Sequence, residues 1–398
     1  MDLNFTPEEI AFRDEARHFF RTAVPDSIRA KVAEGEGLTR DDMITSQRIL
    51  NARGWATVNW PKEWGGQDWT PIQIYLYQDE MQQANVPAPI AFNVSMVGPV
   101  IAQFGSQAIK QRFLAATANV DIFWCQGFSE PGSGSDLASL RTKAEKKDGK
   151  YIVNGQKTWT TLAQYADWIF CLVRTDPTAK AQEGISFLLI DMKTPGITVR
   201  PIVTIDGGRE VNEVFFDDVE VPLENLVGEE NKGWDYAKFL LGNERTGIAR
   251  VGASKAKIAR IKELAALEFS GERPLSESPR FLEKVAAVEV ELKALEMTQL
   301  RVVSDERKMA KGRQNPASSI LKLKGSVIQQ QLTELLMEVV GPYVMPYQRD
   351  FEGNNEPIVG PEYASEAAPM YFNYRKVSIY GGSNEIQRNI IAKAILGL

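Results

Sequence analysis

The chain has 398 residues, 43% of them hydrophobic, with a net charge of −6 and a sequence pI near 5.3. That supplies apolar material for two or three domains with a large core, and the absence of a basic arm or Lys/Arg run argues against a nucleic-acid role. His18 is the single histidine, which argues against Ser-His-Asp hydrolysis, HExxH zinc chemistry and multi-histidine iron sites, and leaves proton transfer to a carboxylate, Lys or Tyr.

The N-terminus reads as a helix start: Thr6 and Glu9 form a capping box, with Pro7 at the first helical position. It has no basic n-region and no apolar h-region, so no signal peptide is expected, and no apolar run is long enough to span a bilayer. Cys125 and Cys171 form no CxxC pair, which points to a reducing compartment without disulfides; a cytoplasmic protein is expected. Residues 1–121 read as a helical domain. Ile72–Gln83 and Ala108–Ala118 have helical spacing, and Val58–Gly66 forms a loop set by Pro61 and a Gly pair.

Near Ile122 the pattern changes to short β-type runs separated by turns, giving a middle β domain over 122–233. Asn154-Gly155 predicts a type I′ hairpin turn, and Trp168–Val173, Ile185–Ile190, Ile197–Pro201 and Val211–Phe216 are further strand candidates. The turn spacing suits a small barrel or sandwich. From Trp234 the helical period returns, with long helices predicted at 234–269, 280–312 and 316–340 and a last one near 384–396. Phe281, Val285, Val288, Leu292 and Leu295 make a bundle-type apolar stripe. The expected fold is therefore α+β: a helical domain, a β-barrel-like domain, and a C-terminal four-helix bundle over 234–398. Cofactors often sit at such domain junctions.

Two stretches carry candidate chemistry. Ser129-Glu-Pro-Gly-Ser-Gly-Ser-Asp136 lacks the third Gly and the following helix of a dinucleotide loop. Gly132 and Gly134 would let backbone approach a ligand, and Ser129, Ser133 and Ser135 offer hydroxyls; a plain polar turn is the alternative. In Lys157-Thr-Trp-Thr-Thr161, Trp159 presents either a flat face to an aromatic cofactor or an ordinary core indole.

Gly127–Ser139, Lys150–Thr161 and Ile379-Tyr-Gly-Gly-Ser-Asn-Glu-Ile-Gln-Arg-Asn-Ile-Ile391 together resemble the acyl-CoA dehydrogenase family, in order and separation, over nearly the whole chain. Phe128 stands where that family has a smaller aliphatic residue. The resemblance implies an all-α, β-barrel, all-α fold, tightly bound FAD, and a tetramer or dimer. It puts Ser129 and Thr161 in hydrogen bonds to the flavin, Trp159 on its face, and Ser135 on the pantetheine of CoA. Ser383 and Glu385 stand at cofactor-contacting positions, and the Gly381 amide at the thioester carbonyl.

Two departures from the family pattern matter. Its C-terminal catalytic Glu is absent from Tyr380-Gly-Gly-Ser383. Its Arg-x-x-Phe-Gly segment, which reaches a neighbouring subunit's FAD, is replaced by Phe269–Leu275, and its Gln-x-x-Gly-Gly segment is degenerate at Met337–Pro342. Some family branches carry the base in a Glu-Arg pair on an earlier helix, and Glu244-Arg245 occupies that place, implying Glu244 as α-proton base with Arg245 on the substrate side. The helix pattern agrees: Leu240, Leu241, Ile248, Val251, Ile258 and Ile261 form one face, with Glu244 four residues before Ile248. A carboxylate on an apolar face is either a desolvated base or one half of a structural ion pair.

The implied reaction is dehydrogenation of an acyl-CoA to a trans-2-enoyl-CoA, with an electron-transferring flavoprotein as acceptor. The alternatives are an acyl-CoA oxidase, or a weakly or non-catalytic subunit of a hetero-oligomer with a sister chain. The acyl group is not legible.

Overall fold

The computed structural model describes residues 4–243, 249–306, 315–348, 355 and 357–398. Its N-terminal part is helical: α1 (Pro7–Thr22), α2 (Asp26–Glu34), α3 (Arg40–Ala52), α4 (Pro71–Gln83), α5 (Gly98–Phe104) and α6 (Gln107–Ala118). Local chemistry starts three of them. Thr6 with Glu9, Thr39 with Asp42 and Thr70 with Gln73 close reciprocal capping boxes, satisfying amides that a helix N-terminus leaves bare. The Val58–Gly66 loop is anchored in the core, where buried Trp60 donates its Nε1–H to the Val94 carbonyl at 2.7 Å.

The middle part is one curled sheet: β1 (Trp124–Gly127), β2 (Lys143–Lys147), β3 (Lys150–Thr161), β4 (Trp168–Arg174), β5 (Ile185–Asp191), β6 (Ile197–Ile202) and β7 (Val211–Pro222). The strand order is β1-β4-β2-β3-β7-β6, with β5 also on β4. Strands β4 and β5 are buried on both faces, which is why they read as unbroken apolar runs. Phe170, Leu172, Phe187 and Leu189 pack toward α5 and α6, while Ile169, Cys171, Leu188 and Ile190 fill the other side with Tyr151, Val153 and Val214.

The hairpin turn predicted at Asn154-Gly155 is not there. The chain reverses between β2 and β3 at Asp148-Gly149, with φ of 50° and 77°, the positive values that a type I′ turn demands. Asn154-Gly155 lies inside β3 opposite a bulge in β7, where the Asn154 side chain donates to Asp218 Oδ1 and accepts from the Asp218 amide, both at 2.9 Å. Either dipeptide fits the turn; pairing with β7 decides between them.

The C-terminal part holds α7 (Gly233–Asn243), α8 (Val251–Leu267), a short hairpin of β8 (Phe269–Ser270) and β9 (Arg273–Pro274), α9 (Pro279–Glu306), α10 (Ser318–Val340), α11 (Ala367–Asn373) and α12 (Asn384–Ile391). The predicted stripe on α9 is buried throughout, packed against α8 and α10. The single helix predicted over 234–269 is interrupted: α8 starts only after Arg250, which sits at a left-handed φ of 49°. Close packing sets two glycines here. A Cβ on Gly252 would lie 2.7 Å from the Asp79 carbonyl of α4, and one on Gly325 would lie 2.8 Å from Ala249. Among the described residues no helix is long and apolar enough to cross a membrane.

Candidate active site

Strand β3 builds the first group. Its register against β7 slips by one residue between Lys157 and Thr160, a bulge that breaks the in-out alternation. Thr158 and Thr160 are buried, while Trp159, at φ 58°, is 60% exposed. The core-indole alternative is thereby ruled out. A second left-handed residue, Leu162 at φ 59°, follows directly. Backbone held in such sparsely populated conformations costs about 1–3 kcal/mol per residue and clusters at working sites.

The loop after β1 is tied to this bulge. The Thr158 amide donates to the Ser129 carbonyl at 2.9 Å. Lys157, fully buried, donates its ammonium to the Phe128 carbonyl at 3.1 Å and to Glu130 Oε1 at 2.8 Å. Glu130 also accepts from the Arg141 amide at 2.7 Å and the Thr142 amide at 2.9 Å. Burial alone would raise the Glu130 pKa, but the Lys157 charge and these donors outweigh it and hold the carboxyl below its ordinary range. Ser129, Trp159 and Thr161 are thus brought together on one clamped surface, with Ser129 and Thr161 half-buried. Sequence reading did not single out Lys157 and Glu130; their only signal was two charges inside motifs of otherwise small and apolar residues.

The turn beyond Glu130 is pinned by paired bonds between the Glu130 and Ser133 backbones, and Ser135 is exposed at its rim. Neither Gly132 nor Gly134 has a positive φ, and a Cβ on either would meet nothing within 4 Å. The fold itself does not need glycine there, so the bare backbone is left open to an outside group.

The second group lies on α12. Ser383 is its N-cap and accepts from the Ile386 amide at 3.4 Å. Glu385 is exposed in the first turn, near Arg388 at 3.7 Å, and its own amide and the Ser383 hydroxyl hold its pKa below the ordinary range. Gly381 and Gly382 have φ of 65° and 81°, and the buried Gln387 amide donates to both their carbonyls, at 3.4 and 3.2 Å. Buried Lys322 fixes Asn384 from α10 at 2.9 Å. Among the described residues no hydrogen bond or ion pair joins this group to Ser129, Trp159 and Thr161.

Glu244 and Arg245 lie outside the described residues. The first described stretch after them is Ala249-Arg250. Arg250 keeps accessible surface although protein surrounds it, and the Tyr374 phenol first, then Tyr380, favour its charge against the penalty of burial, so its pKa is raised. The exit of this connection therefore lies within electrostatic reach of the residue that precedes Gly381. Among the described residues no His, Cys, Asp or Glu cluster suited to a metal is present.

Family models named acyl-CoA dehydrogenase N-terminal, middle and C-terminal domain match residues 6–121, 125–219 and 231–396. The acyl-CoA dehydrogenase IpdE1 of Mycobacterium tuberculosis is 35% identical over 97% of both chains. The chain belongs to the acyl-CoA dehydrogenase family. Among solved structures, the ChsE4-ChsE5 complex from Mycobacterium tuberculosis superposes with a TM-score of 0.82 at 30% identity, over 100% of this chain and 99% of that one. The Tcur3481-Tcur3483 steroid ACAD gives 0.84 at 26% identity with the same coverage. This acyl-CoA dehydrogenase is a flavin-dependent oxidoreductase with FAD as its cofactor. The residues present fit that group. An indole face stands exposed on a rigid bulge, hydroxyls flank it, and buried Thr160 Oγ1 beneath it has no hydrogen-bond partner among the described residues.

Proposed function

We propose that the protein removes the α-proton and the β-hydride of an acyl-CoA thioester, giving the trans-2-enoyl-CoA, with Glu244 as the base. FAD, when bound, supplies the two-electron acceptor for the β-hydride. Ser129 and Thr161 hydrogen-bond the flavin and Trp159 lies on its face; Ser383 and Glu385 hold the cofactor from the α12 side. Ser135 meets the pantetheine arm, Arg245 the substrate, and the Gly381 amide polarises the thioester carbonyl, which acidifies the α-carbon. Glu244 takes the α-proton as the C–H bond breaks, and a desolvated carboxylate has the basicity for it.

One observation carries the assignment of the base. The turn that bears the catalytic Glu in most of the family is here two left-handed glycines, and the first described stretch after Glu244 ends at Arg250, within electrostatic reach of Tyr380. Anaerobic single-turnover bleaching of the flavin tests it. Glu244→Gln keeps flavin and thioester binding but slows reduction by about 10²–10⁴-fold; reduction at the wild-type rate overturns the assignment.

Three working units, 1–121, 122–233 and 234–398, and a cytoplasmic location suited to two free thiols belong to the same reading. So does an electron-transferring flavoprotein as acceptor, and oxygen consumption without added acceptor would instead indicate an oxidase. The likeness to the steroid ACAD supports a steroid-derived acyl group, which a screen of CoA thioesters decides.

A second reading concerns assembly. Trp159, Ile379, Ile386, Ile395 and Leu396 are exposed, and among the described residues no hydrogen bond or ion pair joins the two groups of cofactor residues. We infer that another subunit, a second copy or a sister chain as in ChsE4-ChsE5, completes the flavin site. Light scattering with flavin quantitation checks this, and a fully flavinated, active monomer refutes it.

A further inference from the structure

Helices α4, α8 and α9 meet at a small cleft at the start of α8. It is lined by Tyr75, Asp79 and Gln82 from α4, by Arg250 and Gly252, and by Gln299 from α9. An acyl chain of plain methylenes would gain nothing from such walls, because each polar group it covered would lose water without replacement.

Most of these groups are already engaged. Asp79 is bound by Lys255 at 3.1 Å, which also bridges to Glu296. Gln82 Oε1 accepts from the Ala253 amide at 3.1 Å. Two are not. Gln299 is only 8% exposed, and its Oε1 has no hydrogen-bond partner among the described residues. Arg250 is exposed, has no carboxylate partner among the described residues, and lies within electrostatic reach of Tyr374 and Tyr380. A buried acceptor without a hydrogen-bond partner and an exposed guanidinium without a carboxylate partner, among the described residues, therefore line one cleft. Tyr380 links that cleft to Gly381, the position proposed above for the thioester carbonyl.

Charge selects among the ligands that could satisfy them. The cleft wall carries one cation, Arg250, and one carboxylate, Asp79. A carboxylate on the ligand would gain Arg250 but face Asp79. A ketone accepts from Arg250. A hydroxyl accepts from Arg250 and donates to Gln299 Oε1.

We propose that Arg250 and Gln299 are specificity-determining residues that select acyl-CoA substrates bearing an uncharged oxygen function, a hydroxyl or a ketone, remote from the thioester. This deepens the acyl-CoA reading above and rests on it.

The test uses the flavinated enzyme in its native assembly and matched CoA thioesters of six to ten carbons. Each is prepared unsubstituted, with a terminal hydroxyl, with a penultimate ketone, and with a terminal carboxylate. Binding is read from the change in flavin absorbance and turnover from acceptor reduction. The hydroxy and oxo thioesters bind about 10- to 100-fold more tightly than the unsubstituted ones, as a charge-assisted hydrogen bond requires. Arg250→Met brings both ratios close to one. Gln299→Leu lowers the hydroxyl ratio and spares the ketone ratio, a pattern that a merely structural role would not produce. Equal binding of unsubstituted chains, tightest binding of the carboxylate, or ratios unchanged in both variants overturns the proposal. Oxygen-selective binding without any oxidation keeps this inference and sinks the dehydrogenation reading, whereas oxidation without selectivity does the reverse.

Discussion

Replacing Lys157 by methionine keeps the length of the side chain and strips its charge from a wholly buried position. Glu130, 8% exposed, is left with the Arg141 and Thr142 amides and no cation. Removing one partner of a buried pair costs about 3–5 kcal/mol. The two surviving amide bonds place this case near the lower end, about 3 kcal/mol, or on the order of 100-fold in the population of the opened loop. Because the Phe128 carbonyl loses its donor too, the damage falls on the segment that presents Ser129. Hydrogen exchange at residues 128–130 and 141–142 should quicken by about two orders of magnitude, with flavin retention falling in parallel. Adding Glu130→Gln removes the stranded charge and recovers at least half of the loss. The pH dependence follows from the depressed Glu130 pKa. Its contribution is complete above the unfolded carboxyl value of about 4.3 and is lost as pH falls through the lower native value. In Lys157→Met the native value rises, so acid-induced flavin release shifts to higher pH. Wild-type exchange and flavin affinity in Lys157→Met would refute the clamp.

Trp159→Ala should alter the flavin spectrum or weaken flavin binding about tenfold or more while leaving thermal stability nearly unchanged, since an indole this exposed supports little core; a large drop in melting temperature with normal flavin would count against its role. Gly252→Ala places a Cβ 2.7 Å from the Asp79 carbonyl and should destabilise by about 1–3 kcal/mol in chemical denaturation; an unchanged midpoint contradicts the close packing of α4 on α8. Leu292→Ala, within the α9 stripe, should cost about 2–5 kcal/mol by the same measurement.

Much of the fold was legible because its signals are local or periodic. The Thr6 capping box needs only four residues, and the α9 stripe repeats every three or four positions, so both were read from sequence. What failed depends on partners. A period of two cannot register an inserted residue, so the bulges in β7 opposite Asn154 and in β3 at Trp159 leave no sequence signal, and Asn154-Gly155 carries the same turn signature as Asp148-Gly149, which makes the turn. The break before α8 was hidden because the apolar face continues on both sides, through Leu240 and then Val251, Ile258 and Ile261. Glu130 and Lys157 are 27 residues apart and meet only when β3 passes the loop after β1. Of the residues expected at the site, those within β3 and its neighbouring loop come together visibly, whereas the α12 set forms a separate group.

The two thiols give the molecule a built-in clock. Cys125 on β1 and Cys171 on β4 sit on adjacent parallel strands, both fully buried. Burial pushes the Cys171 pKa up to about 11 and Cys125 well above its ordinary value. Thiolate is therefore scarce while the sheet is closed, and an alkylating dye can react only after the seam between these strands has parted. Since β1 runs straight into Phe128 and Ser129, that seam borders the surface on which the flavin is proposed to rest. Alkylation kinetics would then track how firmly the cofactor is seated, and the apoprotein should be modified faster than the yellow enzyme without any engineered label.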